Sequence, residues 1–228
     1  MDRPKVGVLL AGCGVYDGAE IHEAVLTLLA LDRLGAEAVC LAPDVAQMHV
    51  VNHLTGKVEE GESRNVLVEA ARIARGSVAD AAKVDASALD ALLVPGGFGA
   101  AKNLCDFAVA GAECTVDPDV SRLLKSVHGA GKWVGAICIS PVLVAKLLGE
   151  ERPNVTIGND PGTARAVEAM GACHVGCGVE GIVVDEARRV VTTPAYMLGP
   201  SIGAVAQGIE KLVAEVVSRV RADVAVAR

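Results

Sequence analysis

The segment from Lys5 to Ala42 constrains the fold more than any other. Lys5 to Ala11 is a short apolar run followed by Gly12-Cys13-Gly14. From Ala19 to Leu34 the apolar residues Val25, Leu28, Leu29 and Ala30 recur at helical spacing, and Gly35 stands where a helix C′ residue would. Ala38 to Ala42 is a second apolar run, stopped by Pro43. Strand, helix and strand in that order make a βαβ unit. Such a unit pairs its strands in parallel through a right-handed crossover.

The alternation continues along the chain. Met48 to Glu62 is an excursion that turns at Thr55-Gly56, and Ser63 to Arg75 is helical. Leu89 to Val94 reads as a strand running into Pro95-Gly96-Gly97-Phe98-Gly99. Asp117, with Pro118 at the first helical position, opens a helix through Val127. Trp133 to Ile137 is the next strand, and a helix starts at Pro141. Val155 to Gly158 is a short strand, and Gly162 to Met170 a helix closed by Gly171. Ile182 to Asp185 and Arg189 to Thr193 form a hairpin around Glu186-Ala187. The last helix runs from Ser201 to Val220, and residues 222–228 are expected to fray. The chain is 52% hydrophobic but only 2% aromatic, with 25 glycines, which suits a tightly packed parallel sheet under helices. With no internal repeat, low-complexity tract or linker, the expectation is a single α/β domain over residues 1–228, built on a doubly wound, mostly parallel sheet with small β-hairpin additions.

Charge and cysteine usage narrow the partners. A net charge of −7 with no block of Lys or Arg argues against nucleic acid. No apolar run approaches membrane-spanning length. Seven cysteines, an odd number scattered along the chain, indicate reduced thiols inside a cell. Leu10-Ala11-Gly12-Cys13 resembles a lipoprotein cleavage box, yet the apolar segment ahead of it falls short of the ~7–15 residues of a signal core. A cytoplasmic protein is expected, with Cys13 internal and unmodified.

Lys132 to Pro141, KWVGAICISP, joins a buried strand to a helix through a sharp turn at Cys138. Unpaired N–H groups and the positive end of the helix dipole favour a thiolate there, so the Cys138 pKa is expected to fall. An ordinary buried thiol fits the same pattern. In open α/β sheets ligands bind beyond the carboxyl ends of the strands. Gly12 to Glu23, Pro95 to Gly99 and Cys138 to Pro141 all reach that edge. Gly97 N–H and Ile139 N–H are candidate oxyanion donors. Glu20 and Glu23 lie three apart in the first turns of a helix, where a carboxylate also serves as a cap. Gly12-Cys13-Gly14 begins a dinucleotide fingerprint but places Asp17 where the third glycine belongs. Cys173, His174 and Cys177 offer three metal ligands without a fourth nearby. Neither a cofactor nor a metal is expected.

GAEIHEAV, LLVPGGFGAAKNL and GAICISP together resemble the class I glutamine amidotransferase-like superfamily that includes the PfpI-type proteins and the cofactor-free glyoxalases. Longer stretches, among them AGCGVYDGAEIHEAVLTLLALDRLGAEAVCLAPD, VVNHLTG, RNVLVEAARI, ECTVD and VTTPAYML, resemble the ElbB-type glyoxalase-like proteins linked with isoprenoid biosynthesis. The likeness runs from about Val6 to Lys211. It implies a flavodoxin-like sandwich, a reactive Cys138, and Glu23 rather than Glu20 hydrogen-bonded to it. Gly96 and Gly97 complete the implied site, Glu20, Asn103 and Tyr196 are candidate pocket residues, and family habit implies a homodimer. Two departures matter. Glutamine amidotransferases use a His-x-Glu pair after the cysteine, and here only His174 follows Cys138. Many glyoxalase relatives carry a histidine after the strand that follows the nucleophile, where this chain reads Thr156-Ile157-Gly158-Asn159-Asp160.

The resemblance implies a cofactor-free glyoxalase, a lyase-type enzyme that converts glyoxal or methylglyoxal to glycolate or lactate. Cys138 would be its nucleophile and Glu23 its proton shuttle, with a small aldehyde as substrate. The alternative is a non-catalytic regulatory or redox-sensing protein that retains the cysteine.

Overall fold

A computed structural model of the chain describes residues 3–226. β1 (Lys5–Leu9) leads through α1 (Ile21–Arg33) to β2 (Glu37–Ala42). A small hairpin follows, β3 (Val51–Asn52) with β4 (Lys57–Val58), and then α2 (Val66–Ile73) and β5 (Ala79–Asp80). β6 (Ala91–Val94) is followed by the short helices α3 (Phe98–Lys102) and α4 (Phe107–Ala110), and then by α5 (Pro118–Gly129). β7 (Trp133–Ile137), α6 (Pro141–Leu148), β8 (Asn154–Val155), α7 (Pro161–Ala169) and β9 (Cys173–His174) come next. β10 (Val183–Asp185), β11 (Val190–Thr193) and α8 (Ile202–Val226) close the chain.

The main sheet has seven strands in the order β10-β11-β7-β6-β1-β2-β5. Every pairing in it is parallel except that of β10 with β11. Its central strands run β2-β1-β6-β7-β11, the flavodoxin-like order. The chain leaves β1 toward one edge through α1 and later moves from β6 toward the other edge through α5. Right-handed crossovers in opposite directions put those two helices on opposite faces. The gap between them, where β1 meets β6, is the switch point at which such sheets bind ligands. β6 and β7 are buried along their whole length, and the buried apolar residues form one continuous cluster. Among the described residues no helix is long and apolar enough to cross a membrane.

Local signals set the helix starts as expected. Asp117 accepts from Asp119 N–H and Val120 N–H, with Pro118 in the first turn, and Asp160 caps α7 in the same way. Three expectations need correcting. β8 and β9 pair with each other outside the main sheet, and β5 adds an edge strand too short to show a periodicity. On α1, Val25 and Leu29 face outward, while Glu23, Ala24, Thr27, Ala30 and Leu31 are buried. Small side chains on that face let α8 pack closely against α1. Burying Thr27 leaves no polar group unpaired, because its hydroxyl donates to Glu23 O at 2.7 Å.

The last helix also outruns its expected end. Residues 222–226, expected to fray, are helical, and residues 227 and 228 lie outside the described part. Asp223 holds this end by accepting from Trp133 Nε1 at 3.2 Å and pairing with Arg189. Both partners lie far away in sequence, so no local pattern announces them.

Candidate active site

Three strand ends converge at the switch point, and each brings one part of the site. Cys138 directly follows β7 and adopts φ 63°, a left-handed conformation that is costly for a residue with a Cβ. The elbow is held by its surroundings. Cys138 N–H donates to Thr193 O at 2.9 Å, and Ser140 Oγ donates to Pro95 O at 2.9 Å. Pro141 occupies the first turn of α6, as expected from the sequence.

Glu23 comes from α1 and is 0% exposed. Its Oε2 accepts Gly96 N–H at 2.9 Å, its Oε1 accepts Tyr196 N–H at 3.2 Å, and the carboxyl is hydrogen-bonded to Cys138. Glu20 is the cap of the same helix. Its Oε2 accepts Glu23 N–H at 2.7 Å, while its own N–H donates to Gly96 O at 2.9 Å. Gly96 therefore pins the start of α1 from both sides of its peptide unit. A Cβ on Gly96 would lie 2.4 Å from Cys138 Cβ and 2.8 Å from Glu23 Oε2, so only glycine lets the three groups meet.

Gly97 is constrained even more tightly. It has φ 96°, and a Cβ there would lie 2.4 Å from Glu20 N and 2.6 Å from Gly18 O, both backbone atoms. Gly97→Ala is expected to destabilise the fold by about 3 kcal/mol or more, combining strain with a backbone clash. Gly35→Ala is the control, since Gly35 has φ 67° with nothing within 4 Å of the added methyl. That change should cost only about 1–2 kcal/mol. Urea unfolding of both variants checks the difference. Equal losses would show that close approach is not what requires glycine at 97.

Burial pushes the Glu23 carboxyl up to about 7, and the nearby Glu20 carboxylate adds to the shift. The Tyr196 N–H, the Cys138 thiol and the Gly96 N–H pull it back down. Burial also raises the Cys138 thiol well above its ordinary range, and the Glu23 charge raises it further. Gly97 N–H and Ile139 N–H bond to the sulfur and act in the opposite direction. This corrects the expected fall in the Cys138 pKa. The turn amides do favour the thiolate, but a residue only 7% exposed loses more to desolvation than they return. The pair now has a simple logic. Sulfur and carboxylate each receive two backbone N–H groups, and the low polarity around them admits one negative charge between them. Both groups stay protonated until the carboxyl titrates near 7, and above that one proton is shared by two acceptors.

The other candidate residues divide. Tyr196 is at the site, through its N–H to Glu23. Asn103 is not. Its Nδ2 donates to Ala11 O at 2.9 Å and Asp17 O at 2.8 Å, and its Oδ1 accepts Met48 N–H at 3.0 Å. A short polar side chain with all its groups spent on backbone is a brace between loops, which corrects its expected place in the pocket. His174 lies with Arg152, Glu168 and Cys173 on a cleft of about 440 Å³ that shares no residue with the Cys138 centre. A Cys-His-Glu triad for glutamine hydrolysis is therefore not assembled around His174. Among the described residues no group of three or more His, Cys, Asp and Glu is arranged to hold a metal ion. Sequence reasoning passed over His22, whose Nδ1 lies 2.8 Å from Tyr196 Oη. Its only signal was its position between Glu20 and Glu23.

No family model matches the chain. It is 49% identical to the human glutamine amidotransferase-like class 1 domain-containing protein 3, mitochondrial, over 93% of this chain and 82% of that protein. It is 48% identical to the mitochondrial ES1 protein homolog of Rattus norvegicus, over 94% of this chain and 83% of that one. Among solved structures, an isoprenoid biosynthesis protein with amidotransferase-like domain from Ehrlichia chaffeensis matches with TM-score 0.87 and 38% identity, covering 94% of this chain and 99% of that one. Glyoxalase III from Candida albicans shares the fold at TM-score 0.61 and 14% identity, over 94% and 96% of the two chains. The human and rat relatives are mitochondrial proteins, which overturns the expectation of a cytoplasmic location. Scattered reduced thiols describe any reducing compartment, so cysteine usage does not separate cytoplasm from mitochondrion.

Proposed function

The chain belongs to the ES1 family of glutamine amidotransferase-like class 1 domain proteins, and from that premise we propose that it is a cofactor-free glyoxalase acting on glyoxal or methylglyoxal. The observation that supports this reading is the buried Glu23 carboxyl bonded to Cys138, with two backbone N–H groups on each partner. Sulfur bonds to the aldehyde carbon as the thiol proton passes to Glu23. The carbonyl electrons move onto oxygen, which the Gly97 and Ile139 N–H groups stabilise. Glu23 returns the proton to that oxygen, completing a hemithioacetal. As carboxylate it then removes the C1 proton, leaving an enediolate. The C1 hydroxyl proton passes to the C2 oxygen, and Glu23 delivers the proton it holds to C2. The product is a thioester of the 2-hydroxy acid, and water cleaves it to glycolate or lactate and the free thiol. Oxidation at C1 and reduction at C2 balance, so no external redox partner is needed. A carboxyl poised near 7 suits a group that must both take and give a proton at neutral pH.

A non-catalytic regulatory role is the second reading, favoured by the lack of a histidine at Thr156 to Asp160. The two separate on one measurement. Carbon-labelled glyoxal is incubated with the protein in buffer free of amines and thiols, and glycolate is followed by NMR. Faster glycolate formation than with protein alkylated at Cys138 is the expected result. A rate no better than buffer alone would leave only the regulatory reading.

A further inference from the structure

Glu23 is 0% exposed, and both its oxygens already accept backbone N–H groups. Yet hydration of a dialdehyde to a hydroxy-acid anion releases one proton per turnover, and the second carbonyl oxygen must be protonated while the enediol exists. Glu23 cannot do both while it carries the proton moving from C1 to C2. A second acid–base group with access to solvent is needed. The protein has one beside Glu23. Tyr196, whose N–H holds Glu23 Oε1, places its hydroxyl 2.8 Å from His22 Nδ1, with the two rings 5.8 Å apart. The His22 side chain is 53% exposed, and its Nδ1 lies 4.0 Å from Glu20 Oε1.

We propose that the Tyr196 hydroxyl and the His22 imidazole form the second proton-handling group of the site, standing in for the histidine missing after the nucleophile. This inference rests on the glyoxalase reading. The Tyr196 O–H touches substrate. It gives its proton to the C2 oxygen as the C1 proton leaves to Glu23 and the enediol forms, and it takes up the C1 hydroxyl proton when the C2–H bond and the thioester carbonyl are made. His22 acts through Tyr196. It accepts the surplus proton of thioester hydrolysis through the phenol and carries it out to solvent. Glu20, Glu23 and the Tyr196 hydroxyl are the titratable groups that face this relay. The two carboxylates, after burial, hold the phenol in its protonated form, so it donates rather than rests as an anion.

The test is steady-state hydroxy-acid production from glyoxal by wild type, Tyr196→Phe, His22→Gln and Cys138→Ala. Tyr196→Phe keeps the ring and the backbone bond to Glu23, and should lower kcat about 10²-fold with KM little changed. His22→Gln should lower kcat roughly 10–10²-fold, and added imidazole should restore much of it. Imidazole should do nothing for Tyr196→Phe, which lacks the hydroxyl through which the proton reaches imidazole. A wild type no faster than Cys138→Ala overturns the glyoxalase reading and this inference together. An active wild type with an unimpaired Tyr196→Phe overturns the relay alone. A His22→Gln loss that imidazole cannot rescue would make His22 a packing residue and remove it from the proton path.

Discussion

Cys138→Ala is expected to reduce hydroxy-acid formation from glyoxal to the rate without protein. Every step of the proposed reaction passes through a bond to that sulfur, and no other side chain at the site can form it. Of the other cysteines, burial also raises the thiols of Cys13, Cys40, Cys105, Cys114 and Cys177. None of them has a carboxyl partner like Glu23. The loss should not be an unfolding artefact. Alanine leaves out a single sulfur atom and must adopt the same φ of 63°, so the backbone strain is common to both proteins. Free energies of unfolding in urea should agree within about 1 kcal/mol. Residual turnover above background in Cys138→Ala would show that the nucleophile lies elsewhere.

Glu23→Gln is expected to lower the same activity by about 10²–10⁴-fold, the usual contribution of general acid–base participation. The amide keeps the size, but its single oxygen can accept only one of the Gly96 and Tyr196 N–H groups, and it cannot carry a proton from C1 to C2. Stability should move in the opposite sense, and with pH. The folded-state pKa of Glu23 is raised from 4.5 to about 7, so the folded protein binds the proton more tightly than the unfolded chain does. That contribution is fully present below about pH 4.5 and is lost as pH rises through about 7. By pH 8 the wild type carries a buried charge at a cost of about 3 kcal/mol relative to acid. The Glu23→Gln protein carries no such charge. Its stability relative to wild type should therefore improve from pH 5 to pH 8, the reverse of an ordinary ion-paired carboxylate. Urea unfolding at the two pH values reads this directly. A constant difference would mean that Glu23 does not titrate between these pH values, and would remove the reason for placing its proton transfers near neutral pH.

Much of the site could be anticipated because its parts are encoded locally. A buried strand ending in Cys138 and a helix opening at Pro141 define an elbow from ten residues alone. The glycines at 96 and 97 stand out because two in a row after a buried strand have few other uses. What local pattern could not provide was direction. Val25 and Leu29 are as apolar as Leu31, and nothing in the sequence says that α1 turns Glu23 and Ala24 inward instead. That rotation is fixed by α8, whose residues lie far along the chain. Asn103 shows the converse. It lies on the PGG segment close to the candidate residues, yet it reaches away from the thiol to tie Ala11, Asp17 and Met48.

The sequence by itself determined the class of fold and the elbow with its cysteine, while Glu23 rather than Glu20 was implied only by the family resemblance. Periodicity, turn glycines and helix caps act over a few residues and can be read without a partner. Tertiary structure alone decided the charge state of Cys138 and Glu23. Position at a helix start argued for a low thiol pKa, but the sheet, α1 and the Tyr196 turn close over Cys138 and Glu23 and remove their water. In that setting desolvation outweighs the amides and raises both pKa values, so the pair resists carrying more than one negative charge. The Tyr196 N–H on Glu23 and the His22 contact to the Tyr196 hydroxyl arise from segments more than 170 residues apart. Only a folded chain brings them together.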